Sequence, residues 1–132
     1  VDGDVLAVVQ QALQVARASG GAFDPTVAPV VALWREARQT GRLPDAGALA
    51  RARALVDWSR VDVEVDARLI RLRERGMRLD LGGVAKGFIL QRALDTLRAH
   101  GVTRALVEAG GDIVVGEAPR GRGGWQVAAS CG

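Results

Sequence analysis

From Asp4 to Ala18 the apolar residues Val5, Val8, Val9, Ala12, Leu13 and Ala16 recur at three- and four-residue spacing, which predicts an amphipathic helix ended by Ser19-Gly20-Gly21. Beyond Phe23-Asp24-Pro25-Thr26 a second helix is expected from Val27 to Ala37, carrying Trp34 and breaking near Thr40-Gly41 and Pro44. The alanine-rich run Asp45 to Leu55 predicts a third, with Asp45 suited to cap it. The period then changes to two. Val61, Val63 and Val65 alternate with acids, and Ile70 and Leu72 alternate with arginines, which is the signature of half-buried strands joined through Asp66-Ala67-Arg68. Met77 to Leu81 is a further strand candidate that leads into Gly82-Gly83. Phe88, Ile89, Ala93 and Leu97 then mark a helix closed by Gly101. Arg104 to Ala109, Asp112 to Val115 and Trp125 to Ala129 complete the expected strands.

Helices first, then a hairpin-rich sheet with one inserted helix, is an α+β order rather than a doubly wound α/β one. At 132 residues, 48% hydrophobic and 25% charged, the chain is expected to form a single domain, 1–132, with enough apolar material for a core. No apolar run approaches a membrane span, and the start, Val1-Asp2-Gly3-Asp4, has neither a basic n-region nor an apolar h-region.

Charge narrows the chemistry further. The net charge is +3, and the 18 basic residues are Lys86 and seventeen arginines. Arg68, Arg71, Arg73, Arg75 and Arg78 are the one dense group. With aromatics at 4% and no tyrosine, base stacking has little to work with, and a solvated arginine-rich surface is the simpler expectation. One cysteine, Cys131, and one histidine, His100, exclude an intramolecular disulfide and a Cys/His metal cluster. His100 precedes Gly101 at a helix end, where a cation interacts well with the helix dipole.

Candidate chemistry concentrates in Leu79-Asp80-Leu81-Gly82-Gly83-Val84-Ala85-Lys86-Gly87-Phe88. Glycines between an extended segment and a helix let the backbone approach a ligand, and the helix start attracts anions. The only lysine sits there, where a compact ammonium replaces the guanidinium used everywhere else. The loop is not a P-loop, because Lys86 precedes its last glycine and Phe88 follows, nor is it a dinucleotide fingerprint. Taken alone, it reads either as an anion-binding loop or as a packing turn with an exposed lysine. A second segment, Ser19 to Pro29, has good turn and helix-entry chemistry in Asp24-Pro25-Thr26. A third, Glu108-Ala109-Gly110-Gly111-Asp112, is a tight turn between strands.

Together these segments resemble the ApbE family, the FAD:protein FMN transferases. The matching residues are Gly20-Gly21-Ala22-Phe23-Asp24, Thr26-Val27-Ala28-Pro29, Leu33-Trp34, Asp80-Leu81-Gly82-Gly83-Val84-Ala85-Lys86-Gly87 and Gly110-Gly111-Asp112-Ile113, in that order. Ala28 stands for the usual glycine, Val84 for isoleucine, and Glu108-Ala109 for an asparagine-containing pair. The resemblance implies an ApbE-like (T-fold-like) antiparallel sheet with packed helices. It also implies magnesium-dependent transfer of FMN from FAD, through a phosphoester bond, to a serine or threonine of an acceptor protein, with release of AMP.

Carried onto this chain, the resemblance makes Ala22, Phe23 and Asp24 line the flavin nucleotide, Asp80 and Lys86 contact FAD, and the Gly83 carbonyl face Mg2+. The chain corresponds to the family's central portion, without its N-terminal hairpin and its C-terminal metal-ligand segment, so the fold and the metal site are expected to be incomplete. The implied partners are FAD and a flavin-acceptor protein, with no nucleic acid and with membrane contact only through an anchor outside this chain. The implied location is bacterial, in the periplasm or anchored to the inner membrane. A non-catalytic FAD- or nucleotide-binding module is the alternative. A role as flavin acceptor is disfavoured, because Asp2-Gly3-Asp4 lacks the hydroxyl such a target needs.

Overall fold

The computed structural model describes residues 1–128. The chain divides into two compact units, Val1–Val84 and Ala85–Gly132. The described residues are α+β, with four α-helices and four short strands in two antiparallel hairpins. No helix among the described residues is long and apolar enough to cross a membrane.

The first unit opens with α1, Gly3–Ala18. The Asp2 carboxylate accepts from the Asp4 amide at the helix start, Asp4 lies in the first turn and Arg17 in the last, so both ends suit the helix dipole. Leu6, Val8, Val9, Ala12 and Ala16 are buried, whereas Val5, expected on that face, is 45% exposed. Leu6 keeps the three-residue step to Val9 and brings more apolar area, so the buried arc turns toward it. The helix stops in a paired cap: Gly21 N–H donates to the Ala16 carbonyl at 2.9 Å and Gly20 N–H to Arg17 at 3.2 Å.

Helix α2 spans Ala28–Thr40, with Pro29 in its first turn, and ends at Gly41, whose amide donates to Ala37. Helix α3, Ala46–Arg53, is capped by Asp45, which accepts from the Ala48 amide at 2.8 Å as its sequence position suggests. A single 3-10 turn, Trp58–Arg60, leads into β1 (Val61–Glu64), which pairs with β2 (Leu69–Leu72) in the register Val61↔Leu72 and Val63↔Ile70. Two of the five clustered arginines are paired on this hairpin. Arg73 makes a two-pronged bond to the Asp62 carboxylate at 2.9 and 2.6 Å, and Arg71 lies 4.0 Å from Glu64.

The strand expected over Met77 to Leu81 does not form. Only Arg78 bridges, in parallel, to Val27, and the Asp80 amide donates to the Pro25 carbonyl at 2.7 Å. Residues 25–27 turn into α2 at Ala28, so this extended segment has no partner long enough for a ladder.

Helix α4, Gly82–Ala99, crosses the division between the units. Leu90 and Leu94 are its buried residues, four apart, while Ile89, expected on that face, is 63% exposed. It ends as α1 does, with Val102 N–H donating to Leu97 and Gly101 N–H to Arg98, both at 2.9 Å. The His100 ring nitrogen lies 2.9 Å from the Thr96 carbonyl, at the negative end of the helix. Strands β3 (Leu106–Ala109) and β4 (Asp112–Val115) pair through a two-residue turn. That turn needs positive φ at both central positions, and Gly110 and Gly111 supply 58° and 91°. Residues 125–128 of the expected strand Trp125 to Ala129 are irregular, and Ala129 lies outside the described residues. The Trp125 indole donates instead to the Glu117 carbonyl.

Candidate functional site

The end of α1 aims the segment that follows it. The Ser19 hydroxyl donates to the Ala16 carbonyl and accepts from the Phe23 amide, both at 3.1 Å, which fixes the path of Ala22 and Phe23. Asp24 then secures the loop. Its Oδ1 accepts from the Thr26 amide at 2.8 Å and from the Thr26 hydroxyl at 2.6 Å, and its Oδ2 accepts from the Trp58 amide at 3.1 Å. The Thr26 hydroxyl in turn accepts from the Asp57 amide at 2.8 Å, and Thr26 is wholly buried. Both oxygens of Asp24 are therefore engaged with this chain's own groups, and Asp24 gives the loop rigidity.

The second motif is tied to the first in the same unit. The Asp80 amide donates to Pro25, its Oδ1 accepts from the Gly82 amide at 3.0 Å at the start of α4, and its Oδ2 accepts from Arg35 at 3.4 Å. Phe23 lies against Gly83: a Cβ placed on Gly83 would stand 2.9 Å from the ring carbon Cε2. Glycine here permits the close approach of an aromatic ring to the helix start. A shallow cavity of about 340 Å³ adjoins this point, lined by Ala28, Ala32, Arg35, Arg78 and Asp80. A larger one, about 550 Å³, lies along α2 and the loop before α3 at Leu33, Ala37, Leu43 and Ala48, and none of the motif residues named for ligand contact lines it.

Five of the residues singled out from the sequence, Ala22, Phe23, Asp24, Asp80 and Gly83, thus belong to the first unit and are linked there by hydrogen bonds and ring contact. Lys86 belongs to the second, in the first turns of α4, where its Nζ lies 2.7 Å from Asp112 Oδ2. Three contributors were not singled out for the site: Thr26 as a buried hub, Arg35 as the partner of Asp80, and Asp112 as the partner of Lys86. Thr26 had a local signal in Asp-Pro-Thr, a spacing that favours side-chain-to-backbone bonding. The two ion pairs join residues 45 and 26 positions apart, beyond any local pattern.

Two acids have shifted titration. Asp57 is held below the ordinary carboxylate range by hydrogen bonds from the Ser59 hydroxyl and then Arg60, and Asp62 by the hydrogen bonds from Arg73. Both acids serve the hairpin and the turn before it. The described residues do not fit a magnesium site by themselves. Magnesium takes six hard oxygen ligands in near-octahedral geometry, and among the described residues no three of His, Cys, Asp or Glu converge. The Gly83 carbonyl belongs to the second residue of α4, where the helix ladder engages it.

Comparison with known proteins places the chain in a family. The model of the ApbE family matches residues 1–130. The chain is 36% identical over 118 residues to the FAD:protein FMN transferase of Treponema pallidum, covering 86% of this chain and 33% of that protein. It is 33% identical over 113 residues to one from Klebsiella pneumoniae, covering 86% and 36%. Among solved structures, the flavin transferase ApbE from Vibrio cholerae matches with a TM-score of 0.88 at 27% identity, covering 98% of this chain and 42% of that one. The ApbE protein of Thermotoga maritima matches with a TM-score of 0.81 at 28% identity, covering 92% and 40%. The α+β architecture is thus that of flavin transferases, and the chain belongs to the ApbE family. It spans about a third of the length of these two curated relatives.

Proposed function

We propose that this chain is the flavin-nucleotide-binding portion of an FAD:protein FMN transferase. The observation that carries the proposal is the joining of two family motifs in one unit, where Phe23 packs on Gly83 and Asp80 bonds back to Pro25. In this reading Ala22 and Phe23 offer the flavin an apolar edge, Asp24 keeps that edge rigid, and Asp80 and Lys86 meet polar groups of FAD. The start of α4 and the ammonium of Lys86 favour the phosphates. A hydroxyl oxygen of an acceptor serine or threonine attacks the phosphorus on the FMN side. A new P–O bond forms, the bond from that phosphorus to the bridging oxygen breaks, AMP leaves with the electron pair, and the hydroxyl proton passes to a base. Magnesium, when bound, neutralises phosphate charge; its carboxylate ligands would come from beyond the described residues.

Flavin-fluorescence titration of the chain with FAD tests the proposal. Saturable binding that weakens on Lys86→Met is expected, and a folded protein that ignores FAD would overturn it. The lack of converging carboxylates among the described residues favours a second reading, a non-catalytic FAD- or nucleotide-binding module. Mass spectrometry separates the two, since an acceptor peptide that gains FMN while AMP appears supports transfer, and binding without either product supports the module.

A further inference from the structure

The Gly-Gly-Asp turn of the second unit has no assigned task, and its aspartate is paired with the chain's only lysine. Lys86 Nζ and Asp112 Oδ2 are 2.7 Å apart, and the two side chains are 54% and 48% exposed, so a ligand can reach the pair. The carboxylate is the better anchored partner. Asp112 opens β4 directly after the glycine turn, opposite Ala109 in the register, and the Gly111 amide donates to Glu108 Oε1 at 2.7 Å to close that turn. Lys86, in contrast, carries its charge on a flexible four-carbon stem that loses substantial rotamer freedom when it is fixed. An ammonium has three donors, and one spent on Asp112 leaves two for a phosphate.

We propose that Asp112 is a positioning residue that pre-orients the Lys86 ammonium for a phosphate of the flavin nucleotide. The inference rests on the reading of Lys86 as an FAD contact. An exposed ion pair adds little to folding stability. Its worth lies in ordering the lysine before the ligand arrives.

The test is fluorescence titration of the full chain and its variants with FAD, FMN and riboflavin. Asp112→Asn is expected to weaken FAD and FMN by about 3- to 10-fold, a part of the entropy of ordering one lysine side chain. Riboflavin, which has no phosphate, and the thermal midpoint should be unmoved. Asp112→Glu, which keeps the charge, should restore most of the affinity, and Lys86→Met/Asp112→Asn should bind FAD no more weakly than Lys86→Met. If Lys86→Met weakens FAD while Asp112→Asn leaves it unchanged or tightens it, the positioning role fails and the FAD reading stands. Equal loss for riboflavin would mean a purely structural role and would also overturn it. If Lys86→Met itself leaves FAD binding unchanged, the reading of Lys86 as an FAD contact fails, and the positioning role falls with it.

Discussion

At the scale of single residues, the loop from Ala22 to Val27 depends on one buried hydroxyl. Thr26 Oγ1 both donates to Asp24 and accepts from the Asp57 amide, so Thr26→Val keeps the volume, leaves the Asp57 amide without its acceptor and removes one of the two bonds that Thr26 makes to Asp24 Oδ1. A loss of about 1–3 kcal/mol is expected from denaturant unfolding, with Thr26→Ser much milder because it keeps the hydroxyl. Gly83 gives a subtler case, in which two effects oppose. Alanine gains up to about 1 kcal/mol of helix propensity, while crowding a packed contact costs about 1–3 kcal/mol, and a Cβ 2.9 Å from Phe23 lets the second win. Gly83→Ala should therefore destabilise the wild-type chain yet stabilise a Phe23→Ala background. A change of the same sign in both backgrounds would show that the ring is not what reserves this position for glycine.

At the scale of elements, the β1–β2 hairpin is fastened by Arg73 on Asp62, and its acid response follows from that bond. Because the folded pKa of Asp62 is depressed, first by the hydrogen bond from Arg73, its stabilisation is complete above the unfolded value of about 3.9 and is lost as pH falls through the lower folded value. Urea midpoints measured from pH 6 down to pH 2 should fall less steeply for Asp62→Asn than for the wild type, with Asp57 supplying part of the slope that remains. The elements best legible in the sequence are those fixed by local chemistry. The Asp45 cap, the β1–β2 alternation, the Gly110-Gly111 turn and the Gly101 stop all follow from neighbours within a few residues. Met77 to Leu81 alternates as a strand should, but the sequence does not say how long its partner is, and 25–27 is too short. The misplacement of Val5 and Ile89 has a similar origin, since several arcs of one helix satisfy the same spacing and a distant partner chooses among them.

At the scale of the whole molecule, the family motifs were readable as words, and what joins them was not. Phe23 on Gly83, Asp80 on Pro25 and Lys86 on Asp112 are contacts between segments far apart in the chain. Their distribution bears on how the proposed binding and transfer depend on metal. The groups proposed to hold FAD are an aromatic edge, the Asp80 carboxylate, a helix start and an ammonium, none of which needs a metal to be in place. No three potential metal ligands converge among the described residues. Chelation should therefore leave the FAD affinity of this chain within about twofold, since six-oxygen coordination cannot be assembled from a backbone carbonyl and scattered carboxylates. Titration with FAD in magnesium and again in excess chelator measures this directly. A drop of tenfold or more in chelator would mean that residues outside 1–128, or a second copy of the chain, complete a metal site that takes part in binding. An unchanged affinity would assign the metal to the transfer step, where charge builds on the phosphoryl group beyond what Lys86 and the α4 start are proposed to offset.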